Sequence, residues 1–320
     1  MTNAFSSRLR TTFYAVATTT GLVFSATACS SDNQATESDD SQDSIKIVTS
    51  TNVWTDIAKE VVGDAKDIEV TPIIESNDID PHSYQPTAAD MATVEKADIL
   101  VAGGGHYDAW LTSAASDQGE QVIISALAPV AEHDADHDAE HDVDHDAEHN
   151  HEAETGHEGH DHENEVNEHI WYSTTAVKNV AEQLAKELNL SDDAVVKKMD
   201  DIERRQDKLP AAKTAQVHPL ADDIISDTKI HDLTPKGYRA STLNESEPSA
   251  ADVNEMLKLI ESGDLDFLID APQTHDQVSE RILEAAKAKG IRIVNVYESP
   301  AQGQSYFDLY DATLDELEQK

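Results

Sequence analysis

Short runs of β-branched and aliphatic residues alternate with helical patterns along most of this chain, and that alternation admits few folds. IKIVTS, beginning at Ile45, reads as a strand, TDIAKEVV as a helix and IEVTPII as a second strand. AADMATVEKA then reads as helix, with DILVAG and QVIIS as strands. Apolar strands separated by helices need crossover connections, so the sheet they form is parallel and covered on both faces. The pattern stops at Pro129 and resumes near His169. Val177, Val180, Ala181, Leu184 and Leu188 then recur at helical spacing. A second helix, roughly Asp192 to Leu209, carries Val195, Val196, Met199 and Ile202 on one face, with Ser191 as its N-cap. KTAQV returns to strand, and Ser249 caps a helix containing Val253, Met256, Leu257 and Ile260. LDFLID is a strand, THDQVSERILEAAKAKG a helix closed by Gly290, IRIVNV a strand, and a last helix lies near Ser305 to Leu317. The expected architecture is two α/β halves joined through consecutive helices.

The interruption has its own character. Residues 131–168 hold 16 Asp or Glu and no Lys or Arg, in a chain of formal net charge −41. Such a charge repels nucleic acid and suits a cation as partner. Nine of the 15 histidines lie in this stretch: His133, His137, His141, His145, His149, His151, His157, His160 and His162. The first five recur every four residues, so in a helix they would share a face and chelate in pairs. Neutral imidazole is a common ligand for zinc, copper and nickel, and a His-rich tract is expected to bind metal by composition. An unstructured tract binds weakly, because each binding event must order the chain. The alternative is a solvated acidic linker in which histidine is incidental.

The N-terminus has the pattern of an export signal. Arg8 and Arg10 precede an uncharged, mostly apolar run from Phe13 to Ala26, too short to span a bilayer. Ala26, Thr27 and Ala28 then lead into Cys29, the single cysteine, so no intramolecular disulfide can form. That order resembles the lipobox of bacterial lipoproteins, departing at Ala26, where a large aliphatic residue usually stands. It implies lipidation of Cys29, with plain secretion as the alternative. Ser30 to Asp43 is polar and aperiodic and reads as a disordered tether.

A tight metal site needs ligands held by the fold, and in open parallel sheets these sit beyond the carboxyl ends of strands. His82 follows IEVTPII in SNDIDPHSYQPT, and His169 stands where the insert returns to structure in NEHIWYS. His218 follows KTAQV, and Glu298 follows IRIVNV in NVYESP. Three imidazoles and a carboxylate make a complete four-ligand zinc shell. Asp80 is a candidate acceptor for orienting His82. His106, His231 and His275 are expected in surface or structural roles, and Trp54 and Trp110 in packing.

These residues resemble the solute-binding proteins of bacterial ABC importers for zinc and manganese, over nearly all of the mature chain. The matching motifs are NVWTDIAKEVVGD with DPHSYQPTAAD, then a histidine with Trp two residues on (His169 and Trp171), then His218, then NESEPSAADVNEML and the strand before Glu298. The resemblance implies His82, His169, His218 and Glu298 as ligands of a metal in the cleft between two lobes. It also implies that the lobes, each a parallel sheet flanked by helices, are joined by one long bridging helix, at Asp192 to Leu209, which permits only small closure. The chain departs from the family at Pro219-Leu220-Ala221, where an aromatic-containing stretch is usual, and at Glu298, where Asp is commoner and water sometimes substitutes.

Three imidazoles favour Zn2+ as the transported ligand, since manganese sites lean toward carboxylates. The expected partners are an ABC-type permease and its ATPase, with a membrane attachment through Cys29, no nucleic acid and a monomeric state. The expected location is extracytoplasmic, lipid-anchored to the cell membrane. The expected boundaries are a signal peptide over 1–28, a tether over 29–44, an N-terminal lobe over 45–130, the His/Asp/Glu-rich loop over 131–168, a return segment and bridging helix over 169–209, and a C-terminal lobe over 210–320. An enzyme is not expected: the chain contains no H-E-x-x-H and no nucleophile motif. Manganese or another divalent ion, a secreted zinc hydrolase, and a surface adhesin or zinc buffer are the alternatives.

Overall fold

The computed structural model describes residues 44–77, 79–116, 121–128 and 166–319. Cys29, the signal peptide, most of the tether and the nine histidines of the insert lie outside the described residues.

The first lobe is built from β1 (Ile45–Thr51), α1 (Asn52–Val62), β2 (Ile68–Ile74), α2 (Ala88–Val94), β3 (Ile99–Ala102), α3 (Ala109–Ser116) and β4 (Val122–Ser125). All pairings are parallel, in the order β2-β1-β3-β4. β3 is buried along its whole length, as an apolar strand covered on both faces must be. Pro72 sits in register with Thr49 on β2, an edge strand, where a residue lacking an N–H is tolerated.

Residues 166–173 lead from the insert into α4 (Thr174–Leu188) and α5 (Asp193–Gln206). Asn189 ends α4 in the left-handed conformation, at φ 52°. The Ser191 hydroxyl accepts from the Asp193 amide, although α5 begins one residue beyond the expected cap.

The second lobe repeats the first: β5 (Ala212–Gln216), α6 (Asp222–Ile225), β6 (Ile230–Asp232), α7 (Lys236–Leu243), α8 (Ala250–Ser262), β7 (Phe267–Asp270), α9 (Gln277–Lys289), β8 (Arg292–Asn295) and α10 (Tyr306–Glu318). Its parallel sheet runs β6-β5-β7-β8. Ser249 and Ser305 cap α8 and α10 by accepting the Asp252 and Asp308 amides, and Gly290 closes α9 at φ 73°. Three elements of this lobe escaped the sequence reading: α6, β6 and α7. β6 has one buried residue, Ile230, too little for a readable period.

α5 occupies the residues where a bridge was expected, and packs against α4, against α1 of the first lobe and against α10 of the second. One apolar core continues through both lobes, from Trp54 and Ile57 through Met199 and Ile202 to Phe267 and Tyr310. Burying each such side chain contributes about 1.5–3 kcal/mol. Polar ties reinforce the junction. The Tyr310 hydroxyl donates to the Tyr172 carbonyl (2.6 Å), the Tyr172 hydroxyl to the Tyr297 carbonyl (2.6 Å), and the Tyr306 amide to the Asp56 carboxylate (2.7 Å). A continuous core with buried hydrogen bonds opposes wide opening of the lobes. Among the described residues, no helix is long and apolar enough to cross a membrane.

Candidate metal centre

The carboxyl ends of both sheets face one polar cleft of about 560 Å³, lined among others by His82, Tyr107, Glu245, Gln273 and Glu298. His169 and His218 line two adjoining pockets that share Glu245 with this cleft, and each donor-bearing side chain is placed by a different local device.

His82 lies on the loop between β2 and α2. Asp80 does hold it, but through the backbone: its Oδ1 accepts the His82 amide (2.9 Å) and its Oδ2 the Ser83 hydroxyl (2.8 Å). This is a local turn of the chain, and the imidazole is left for other partners. That ring stands edge-on to Tyr107, centroids 4.7 Å apart. Tyr107 is placed by the Gly103-Gly104-Gly105 turn, which wraps the buried Asp108 carboxylate; the Gly103 and Gly104 amides both donate to it at 2.7 Å. Gly104 has φ 86°, and a Cβ there would collide with the Leu127 carbonyl oxygen, so only glycine fits.

His169 is buried against Trp171, its ring centroid 5.4 Å from the indole. The Asn167 Oδ1 sits 2.7 Å from His169 Nδ1 and also accepts the His169 amide at 3.0 Å. An acceptor at that position fixes the proton on Nδ1 and turns the Nε2 lone pair into the cleft. Asn167 is itself held, donating to the Pro219 carbonyl (2.6 Å) and the Asp222 carboxylate (2.7 Å). Asp222 in turn receives Gln216 (2.7 Å) and the Arg239 guanidinium. Leu220 and Ala221, at the noted departure from the family pattern, are buried and carry Pro219 into this network.

His218 follows β5 directly and is buried. Glu298 follows β8, and its amide donates to Gln273 Oε1 at 2.6 Å. Gln273 also donates to the Asn77 carbonyl (3.1 Å), tying the first lobe's loop to the second lobe.

The four expected donors come to one place, but not as one group. His169, His218 and Glu298 form one set with donor atoms all within 4.8 Å of one another; His82 and His169 form another with Glu245. The closest approaches are His169 Nε2 to His218 Nε2 (3.2 Å), His218 Nε2 to Glu245 Oε1 (3.4 Å), His169 Nε2 to Glu298 Oε1 (3.7 Å) and His82 Nε2 to Glu245 Oε1 (3.8 Å). Atoms bound at tetrahedral zinc distances stand roughly 3.3–3.6 Å apart, close to the approaches around His169 and His218.

Electrostatics point the same way. Burial, assisted by His82, lowers the His169 pKa to about 3. Burial and the neighbouring His169 do the same to His218, also to about 3. Both imidazoles are neutral near pH 7 and offer lone pairs. Burial raises Glu298, and burial with repulsion from Glu298, Asp80 and Glu168 raises Glu245 to about 7. Burial and mutual repulsion raise these carboxylates, and a nearby positive charge would offset both.

The sequence reading did not identify Glu245, Asn167 or Gln273. Glu245 lies in the quoted NESEPS stretch, yet its approach depends on α7 and on a left-handed backbone at φ 49°. His106 is exposed, His231 is exposed on β6, and His275 pairs with Asp270 at 2.8 Å. Trp54 is core and Trp110 packs on Tyr84.

The high-affinity zinc uptake system protein ZnuA of Bacillus subtilis (strain 168) is 28 % identical over 101 residues, 31 % of this chain and 31 % of the relative. The manganese ABC transporter substrate-binding lipoprotein PsaA of Streptococcus pneumoniae is 34 % identical over 95 residues, 28 % of this chain and 29 % of the relative. These alignments therefore span less than a third of each curated relative. The periplasmic zinc binding protein TroA from Treponema pallidum shares the fold, with a TM-score of 0.61 at 16 % identity over 86 % of this chain and 98 % of that one. A family model described as zinc-uptake complex component A, periplasmic, matches residues 47–320, and the chain belongs to that family, one of solute-binding proteins rather than enzymes.

Proposed function

We propose that this chain captures Zn2+ outside the cytoplasm and delivers it to an ABC-type importer, with His82, His169, His218 and Glu298 as ligands. The observation that carries the reading is the approach of His82 and His218, from two other segments, to His169, which belongs to both donor sets, with His169 and His218 held neutral by burial. Imidazole-rich sites select zinc over manganese, which favours carboxylate and carbonyl oxygens. The family supports uptake as the purpose, and a permease with its ATPase as the partner. The pattern before Cys29 supports a lipid anchor, and the histidines of residues 131–168 an auxiliary zinc store; both fall outside the described residues.

A manganese reading is favoured by one observation: Glu245 adds a second carboxylate to the donor group. Competitive titration separates the two. We expect Zn2+ to displace Mn2+ from the full chain at a small fraction of its concentration, following the general affinity order of divalent metals and the imidazole count. The manganese reading gains if Mn2+ holds against equimolar Zn2+. If the His169→Ala chain keeps wild-type zinc affinity in the same titration, the site is elsewhere.

A further inference from the structure

The donors around the cleft are graded in depth. Side-chain exposure falls from 47 % at Glu245 through 19 % at His82 and 10 % at Glu298 to 7 % at His218 and 3 % at His169. The two donor sets follow that gradient: one, His82, His169 and Glu245, takes in the mouth of the cleft, and the other, His169, His218 and Glu298, is buried throughout. His169 belongs to both. His82 Nε2 has no hydrogen-bond partner, although the atom is shielded from solvent, and it lies 3.8 Å from the Glu245 carboxylate. That carboxylate also lies 3.4 Å from His218 Nε2 in the deeper set. Glu245 occupies a left-handed backbone conformation that a residue with a Cβ adopts at a cost, and such strain collects at functional positions.

We propose that Glu245, His82 and His169 form an outer way-station, through which a divalent cation enters and leaves the buried set. A hydrated cation must shed its waters one at a time. The exposed Glu245 carboxylate can replace the first of them before the buried imidazoles are reached, and His82 the next. His82 and His169 then stay bound while His218 and Glu298 displace Glu245, so the ion is never without ligands. By microscopic reversibility the same carboxylate assists release. The inference rests on the metal-binding reading above and assigns a residue and a sequence of exchanges within it.

A way-station lowers the barrier in both directions without changing the end state. The test is stopped-flow zinc binding and chelator-driven release with the full chain at substoichiometric Zn2+, read by the fluorescence of Trp171, whose indole stands edge-on to His169. Glu245→Gln is compared with Glu247→Gln, which removes the same charge from an exposed neighbour in the same loop. Glu245→Gln is expected to slow association and release alike by about tenfold, the lower end of what local electrostatics does to on-rates, with equilibrium affinity within about threefold of wild type. Glu247→Gln should change neither rate by more than about twofold, as a screened exposed charge. Faster release with lost affinity in Glu245→Gln would make it a ligand of the final site and overturn the proposal. Rates matching those of Glu247→Gln would overturn it too. Absence of cleft binding in the wild-type chain would instead remove the functional reading on which the inference stands.

Discussion

The two lobes share one topology but bring their donors to the cleft differently. In the second lobe, β5 ends at Gln216 and β8 at Asn295, so His218 and Glu298 leave the sheet almost directly and are buried. In the first lobe, β2 ends at Ile74, and His82 lies well out on the loop before α2, partly exposed and held mainly through its backbone. His169 belongs to neither sheet; it sits on the segment entering α4, clamped by Asn167 to a network rooted in the second lobe. Strand-end donors are pre-positioned and cannot move far, whereas a loop-borne donor can. The second lobe and the His169 clamp thus form the fixed side of the site, while the first-lobe loop carries the donor that can move.

That division can be broken by substitution. His169→Ala removes the donor common to both sets and should cause the largest loss of zinc affinity in competition titration, above the roughly 100-fold that marks the upper end for outer-shell changes. His218→Ala should cost more than His82→Ala in the same titration; equal or reversed losses would erase the distinction between strand-end and loop donors. Asn167→Ala leaves every donor in place and frees the His169 tautomer, so a loss of about 10–100-fold is expected. Unchanged affinity there would show that burial alone orients the ring.

A further prediction concerns folding rather than binding. His218 has a folded pKa of about 3 against a reference value of 6.5. A depressed value means the unfolded chain binds the proton first, so the stability His218 contributes is present above about pH 6.5 and lost as pH falls toward 3. The raised Glu245, at about 7 against 4.5, acts in the opposite sense: its contribution is present below about pH 4.5 and lost as pH rises through 7. A difference measurement isolates the histidine. Urea denaturation of metal-free wild type and His218→Gln at pH 6, 5 and 4 should show wild type losing ground by up to about 1.4 kcal/mol per pH unit. A constant gap would mean that His218 protonates freely in the folded state.

Much of this organisation was legible in the residues. The apolar strands announced both parallel sheets, because a strand covered on two faces has no alternation to hide. Ser249, Ser305 and Gly290 marked helix ends by chemistry local to the chain. Three imidazoles and Glu298 could be named as candidates because each follows a strand or an ordered return. Glu245 was not, since its place depends on α7 and on a single left-handed residue, neither of which leaves a periodic trace. Asn167 was hidden for a related reason: its role exists only once Pro219 and Asp222, more than fifty residues on, have folded beneath it.

The central claim is that three imidazoles from separate segments hold one cation in the cleft. A crystal structure of the full chain grown with substoichiometric Zn2+, with the ion located by anomalous scattering, tests it most directly. The account predicts one zinc about 2.0–2.1 Å from ring nitrogens of His82, His169 and His218, with a carboxylate oxygen completing the shell. Zinc bound elsewhere, or held in the cleft by carboxylates with two of these three rings turned away, would contradict it.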